Sequence, residues 1–127
     1  MSVTAVDASA IAAVLFMEPE SEALLPCMSG RLIAPMLLPY ELANVCRQKT
    51  RRHPALADAW LERFRALPAV GIELLPTDFD ALPELAALHG LSAYDAAYLQ
   101  LALSNRAPLV TLDAKLAKAW AKASARG

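Results

Sequence analysis

Short β-rich runs at residues 3–6, 31–34, 70–75 and 108–112 are separated by stretches with helical apolar spacing. This alternation constrains the chain more than any other feature. Each run is apolar through most of its length, as expected of a strand buried on both faces. A chain of strand, helix, strand, helix folds most readily as a parallel sheet covered by helices on both sides. The reading in order is β-α-α-β-α-α-β-α-α-β-α. It gives helices at 8–17, from Pro19 towards Gly30, from Pro39 to about 51, from Pro54 to about 66, at 78–89, at 92–105 and at 113–123. Pro68 and Pro76 fall between elements, and Gly90 suits a helix end. The expected fold class is therefore α/β, a three-layer α/β/α domain. Its short, mainly parallel sheet has four strands, or five if the tail adds one.

A length of 127 residues suits one domain over 1–127, and a hydrophobic content of 57% can fill its core. A formal net charge of −1 withholds the basic footprint that usually marks a nucleic-acid partner. Cys27 and Cys46 are too few for a disulfide framework and read as buried free thiols in a reducing compartment. No His/Cys cluster has zinc spacing. The apolar run at 8–17 is too short to cross a bilayer and lacks the basic flank of a leader. Those features read as a cytoplasmic protein with no membrane partner.

Four acids fall at related places on this map. Asp7 ends the first strand and Asp113 the fourth. Glu41 lies in the first turn of the third helix, and Asp95 in the first turn of the helix opened by Ser92. A parallel sheet brings its strand carboxyl ends, and the helix starts that follow, to one edge where ligands bind. A structural reading stands beside the functional one. Asp7 and Asp113 suit N-caps, Ser92 and Asp95 resemble a capping box, and Glu41 complements a helix dipole. Electrostatics bears on the choice. Two carboxylates about 5 Å apart repel by roughly 3 kcal/mol at an effective dielectric near 20. Several such pairs rival the stability of a whole domain, about 5–15 kcal/mol. No basic residue lies within three positions of Asp7, Glu41 or Asp95, while Lys115 lies near Asp113. A hard divalent cation with oxygen ligands would relieve the repulsion.

The segments Val6-Asp7-Ala8-Ser9, Tyr40-Glu41-Leu42-Ala43-Asn44-Val45, Tyr94-Asp95-Ala96-Ala97-Tyr98-Leu99-Gln100-Leu101-Ala102 and Leu109-Val110-Thr111-Leu112-Asp113 occur in this order. Together they resemble the four signature segments of PIN domains, and most closely those of the VapC toxins of type II toxin–antitoxin pairs. The resemblance implies that Asp7, Glu41, Asp95 and Asp113 are catalytic and hold Mg²⁺ or Mn²⁺. It implies a metal-dependent endoribonuclease that hydrolyses RNA, such as tRNA or another structured RNA, with an activated water. It also implies a cognate antitoxin and a homodimer. Ser9 and Thr111 fall where the family often has a hydroxyl near the acids, as supporting residues. The chain departs from the family at its end, where 121–127 carries no β-branched residue to build a fifth strand.

Asn44 follows Glu41 by one helical turn on the same face. It can serve water near a bound ion or stand as a plain exposed amide. Arg47, Lys49, Arg51 and Arg52 form a basic run that suits RNA phosphates or simply offsets the helix dipole. Lys115, Lys118 and Lys122 read as a solvated stripe, and His53 and His89 as element ends. The apolar residues of the first two helices exceed what one face needs and suit a partner's amphipathic helix. Two rival readings remain open: a catalytically silent PIN-like binding module, and a related nuclease acting on DNA.

Overall fold

The computed structural model describes residues 2–126. Four strands form one parallel sheet: β1 Val3–Val6, β2 Arg31–Pro35, β3 Glu73–Leu75 and β4 Leu109–Val110. Their spatial order is β3-β2-β1-β4. Thr4 faces Leu32, Ile33 faces Glu73, and Ala5 faces Leu109, all in parallel register. The helices are α1 Ala8–Leu15, α2 Ser21–Leu24, α3 Leu38–Arg52, α4 Ala57–Arg65, α5 Leu67–Val70, α6 Leu82–His89, α7 Ala93–Ser104 and α8 Ala114–Ser124. The chain steps outward from β1 to β3 and then crosses back to β4. Right-handed crossovers therefore put α1–α5 on one face of the sheet and α6–α7 on the other.

Small residues let the layers approach closely. Ala10, Ile11, Ala12 and Ala13 of α1 are buried, as are Ala96, Ala97, Leu99 and Ala102 of α7. Between these helices lie Val6, Ile33 and Ala34 of the two central strands, all fully buried. Leu38, Leu42 and Cys46 recur every four residues along α3 and bury one stripe of that helix. Lys49, at the end of that helix, sits over the Phe16 and Trp60 rings and pairs with Glu18, tying α1, α3 and α4 together. Gln100 of α7 bonds both the backbone N–H and the C=O of Asp78, fixing the approach to α6.

The outer strands are shorter than their sequence patterns suggest. β3 keeps three residues and β4 only two. Pro68 does not merely stop α4. It enters the first turn of α5, an extra turn of helix that takes up Val70, the first residue expected to be extended. The segment after α1 is likewise broken, into α2 and a 3-10 turn at Leu25–Cys27. That break corrects the expectation for Cys27, whose thiol is exposed, whereas Cys46 is buried. Among the described residues no fifth strand forms, and α8 continues to Ser124. No helix among them is long and apolar enough to cross a membrane.

Candidate active site

Asp7 occupies the corner where β1 passes into α1, and it is only 5% exposed. Its extended backbone makes it the N-cap of α1, with Oδ1 accepting from the Ala10 N–H at 2.9 Å. The same Oδ1 accepts from the Ser9 hydroxyl at 2.8 Å. Oδ2 accepts from the Thr111 hydroxyl, beyond the end of β4. Ser9 also accepts from the Leu112 N–H, and Thr111 from the Asp113 N–H. The two hydroxyls thus lace the carboxyl end of β1 to that of β4. Asp113 lies next in the chain as the N-cap of α8, its Oδ1 accepting from the Lys115 and Leu116 N–H groups.

Glu41 and Asp95 come from opposite faces of the sheet. Pro39 sits in the first turn of α3 and places Glu41 there. Ser92 caps α7 by accepting from the Asp95 N–H at 3.1 Å, so Asp95 lies in the first turn of that helix. The link between the two faces is Tyr98, 2% exposed, whose hydroxyl donates to Glu41 Oε1 at 2.6 Å. In the sequence Tyr98 is visible only as part of a signature segment. Its tertiary partner lies 57 residues away, and the one available clue was an aromatic polar group one turn after Asp95 on the same helix face.

The acids also act on one another through space. Burial is the main cause that raises the Asp7 carboxyl above its ordinary value, and the Asp113 charge adds to it. Glu41 is raised chiefly by burial, against the Tyr98 bond, with Asp95 and Asp7 adding repulsion. Asp95 is raised by burial, then by Asp113 and Asp7, while Lys115 works the other way. Among the described residues the ion pairs are Arg31–Glu73 and Lys49–Glu18, and neither involves these four acids. The structure therefore gathers all four predicted acids into one mutually repelling group.

The same geometry shows that capping and clustering are not alternatives. Asp7 and Asp113 cap helices at the carboxyl edge of the sheet and also repel one another. Among the described residues no three Asp, Glu, His or Cys side chains stand close enough to form a ready metal cage. The donor set nevertheless fits a hard divalent cation. It is all oxygen and carboxylate-rich, and none of the four acids is in an ion pair among the described residues. Mg²⁺ takes few carboxylates and keeps several of its own waters, so it does not need a closed protein cage.

Other singled-out residues lie outside this group. Asn44 is exposed and makes no side-chain hydrogen bond among the described residues. Arg47, Arg51 and Arg52 are exposed along α3. At 1.5 Å rise per residue they lie about 9 to 16 Å along the helix from Glu41. Lys49 is drawn away from solvent by Glu18 and the two aromatic rings, which sets it apart from the three arginines.

A parallel α/β sheet with carboxylates at the strand carboxyl ends defines a class of domain built to act on ligands at that edge. The chain belongs to the PIN domain family, whose model matches residues 4–121. PIN domains are generally nucleases, hydrolases that act on nucleic acids. Among solved structures the chain is similar to the crystal structure of PAE2754 from Pyrobaculum aerophilum. That likeness has 23% identity and a TM-score of 0.75, and covers 99% of this chain and 94% of that one. At this identity it supports the fold alone. No curated protein matches the sequence.

Proposed function

We propose that this protein is a metal-dependent endoribonuclease and the toxin component of a VapC-like toxin–antitoxin pair. The observation that carries the nuclease reading is Asp7: a carboxylate 5% exposed, held by two hydroxyls and a backbone N–H, beside three further acids with no ion pair among them. Burying such a charge is costly unless something binds it. Asp7, Glu41, Asp95 and Asp113 would hold one or two Mg²⁺ or Mn²⁺ ions. When bound, the ion supplies charge stabilisation at a scissile phosphodiester and makes water a stronger nucleophile. The protein's own part is positional. Ser9 and Thr111 fix the Asp7 carboxylate, and the helix starts of α7 and α8 aim Asp95 and Asp113 at the same edge. Arg47, Arg51 and Arg52 would hold the RNA backbone through contacts that carry no sequence information.

The toxin assignment rests on the signature segments together with apolar surface left uncovered. Met17 is 68% and Leu25 is 53% exposed around the end of α1 and the turn after α2. Such surface suits an antitoxin helix or a second protomer.

The test is cleavage of mixed tRNA and structured RNA with Mg²⁺ or Mn²⁺, beside an Asp7→Asn/Asp95→Asn double variant prepared identically. Chelator-sensitive cleavage by the native protein alone is the expected result. Equal cleavage by both proteins would overturn it. A second reading, a silent binding module, is favoured by one observation, the lack of a ready metal cage among the described residues. Calorimetric titration with Mn²⁺ separates the two, since a silent module binds no ion more tightly than millimolar.

A further inference from the structure

Most aromatic rings of this protein serve its core. Phe16 and Tyr98 are buried, and Trp60, Phe64 and Trp120 pack against the core in part. Among the described residues the exposed aromatics are Tyr40, Tyr94 and Phe79. Phe79 stands in the turn before α6. The two tyrosines stand beside the acids. Tyr40, 79% exposed, directly precedes Glu41 in the first turn of α3. Tyr94, 66% exposed, directly precedes Asp95 in the first turn of α7. Successive Cα atoms are about 3.8 Å apart, so each ring is rooted next to a carboxylate of the group. The two helices lie on opposite faces of the sheet, so one ring comes from each face. Met36, just after β2, and Leu112, just before Asp113, add exposed apolar surface along the same edge. Single exposed apolar residues are ordinary, but their concentration around one site marks a binding surface.

The charge balance says what such a surface has to supply. Four acids repel phosphates, and a net charge of −1 gives no general attraction for a polyanion. Arg47, Arg51 and Arg52 begin about 9 Å along α3 from Glu41, so their pull on a phosphate acts away from the acids. Attraction beside the acids therefore has to come from uncharged surface. Nucleobase faces meet that need, because stacking on an aromatic ring requires no charge and accepts every base. A base offers its face only when it is unpaired and splayed from its neighbours. A protein helix, by contrast, is met by a continuous apolar groove. Here carboxylates stand with the rings, which suits a polymer whose aromatic faces are joined by phosphates.

We propose that Tyr40 and Tyr94 are substrate-binding residues that stack unpaired nucleobases on either side of the acid group. This role rests on the reading of that group as a nuclease site, and the test keeps the two apart. Binding of a short labelled oligoadenylate and of an abasic oligonucleotide of equal length is followed by fluorescence anisotropy, in chelator so that no metal-dependent cleavage intervenes. The proteins are the native chain, Tyr40→Leu/Tyr94→Leu and Tyr40→Phe/Tyr94→Phe. Both positions are exposed, and circular dichroism checks that each variant keeps the fold. One stacked base contributes about 5- to 150-fold in affinity. The native protein should therefore bind the oligoadenylate at least about fivefold more tightly than the abasic strand. The leucine variant should lose that preference while binding the abasic strand as before, and the phenylalanine variant, which retains both rings, should keep it. Affinity for a blunt RNA duplex should be the same in all three. A native protein that does not distinguish the two strands overturns the proposal, and so does a leucine variant that keeps the preference. Loss in the phenylalanine variant equal to that in the leucine variant would also overturn it, since the hydroxyls and not the rings would then be at work. Chelator-sensitive cleavage without base-dependent binding would leave the nuclease reading standing and remove this one. Base-dependent binding without cleavage would do the reverse.

Discussion

At the scale of single residues, the site holds charge against the interest of the fold. Asp7 is raised by burial and by Asp113, yet its role as N-cap needs only an acceptor. Asparagine caps about as well as aspartate. Asp7→Asn should therefore abolish cleavage while making the metal-free protein more stable. Relief on the order of 1 kcal/mol would raise the melting temperature by about 4 °C in a domain of this size. A thermal melt in chelator reads this directly, and a fall of similar size would show that the charge itself stabilises the corner. The pH dependence has the same origin. Asp7, Glu41 and Asp95 are all raised above their ordinary values, 3.8 for Asp and 4.5 for Glu. The folded state then binds protons more tightly than the unfolded chain. Their contribution is fully present below those ordinary values and is lost as pH rises through the raised ones. In chelator, the stability advantage of Glu41→Gln/Asp95→Asn over the native protein should thus widen as pH rises from about 4.5 toward neutrality. Paired melts across this range check it; a difference independent of pH would refute the assignment.

At the scale of elements, the corner between β1 and β4 depends on two hydroxyls. β4 has only two paired residues, so ladder bonds alone hold it weakly. Thr111 adds a bond to Asp7 across 104 positions of sequence and accepts from Asp113 N–H. Thr111→Val keeps the shape and removes both bonds. A loss of about 1–3 kcal/mol is expected from a buried acceptor left without its donor. Urea unfolding should show a lower midpoint at an unchanged slope. The turn into β2 has a different basis. Gly30 has φ +71°, and a Cβ there would meet the Ser2 carbonyl oxygen at 2.3 Å. Backbone cannot yield as a flexible side chain can, so Gly30→Ala should cost more than the usual glycine effect of about 1 kcal/mol.

At the scale of the whole molecule, an ion that relieves the acids should stabilise the fold. Mg²⁺ at a hundred times its dissociation constant would add about 2.7 kcal/mol if the unfolded chain does not bind it. The rise in melting temperature should vanish in the Asp7→Asn/Asp95→Asn variant. Equal shifts in both proteins would place the ion elsewhere.

The residue pattern itself determined the number of strands, their parallel pairing and the edge to which the acids go. Runs such as Val3–Val6 are buried on both faces, and a helix between successive strands leaves a chain little choice but a crossover. The caps were equally legible, because Asp7, Ser92 and Asp113 act on N–H groups two or three residues ahead. The lengths of β3 and β4 were not, since an outer strand extends only as far as its neighbour pairs with it. Nor was the exposure of Cys27, which follows from how the chain breaks between α2 and β2. Tertiary structure alone decided that Tyr98 meets Glu41, that Thr111 meets Asp7 and that Lys49 lies over two aromatic rings. Local sequence governs contacts within a few residues through backbone geometry. Contacts across 57 or 104 positions exist only after the sheet has ordered its strands, because only then are the groups that make them brought within bonding distance.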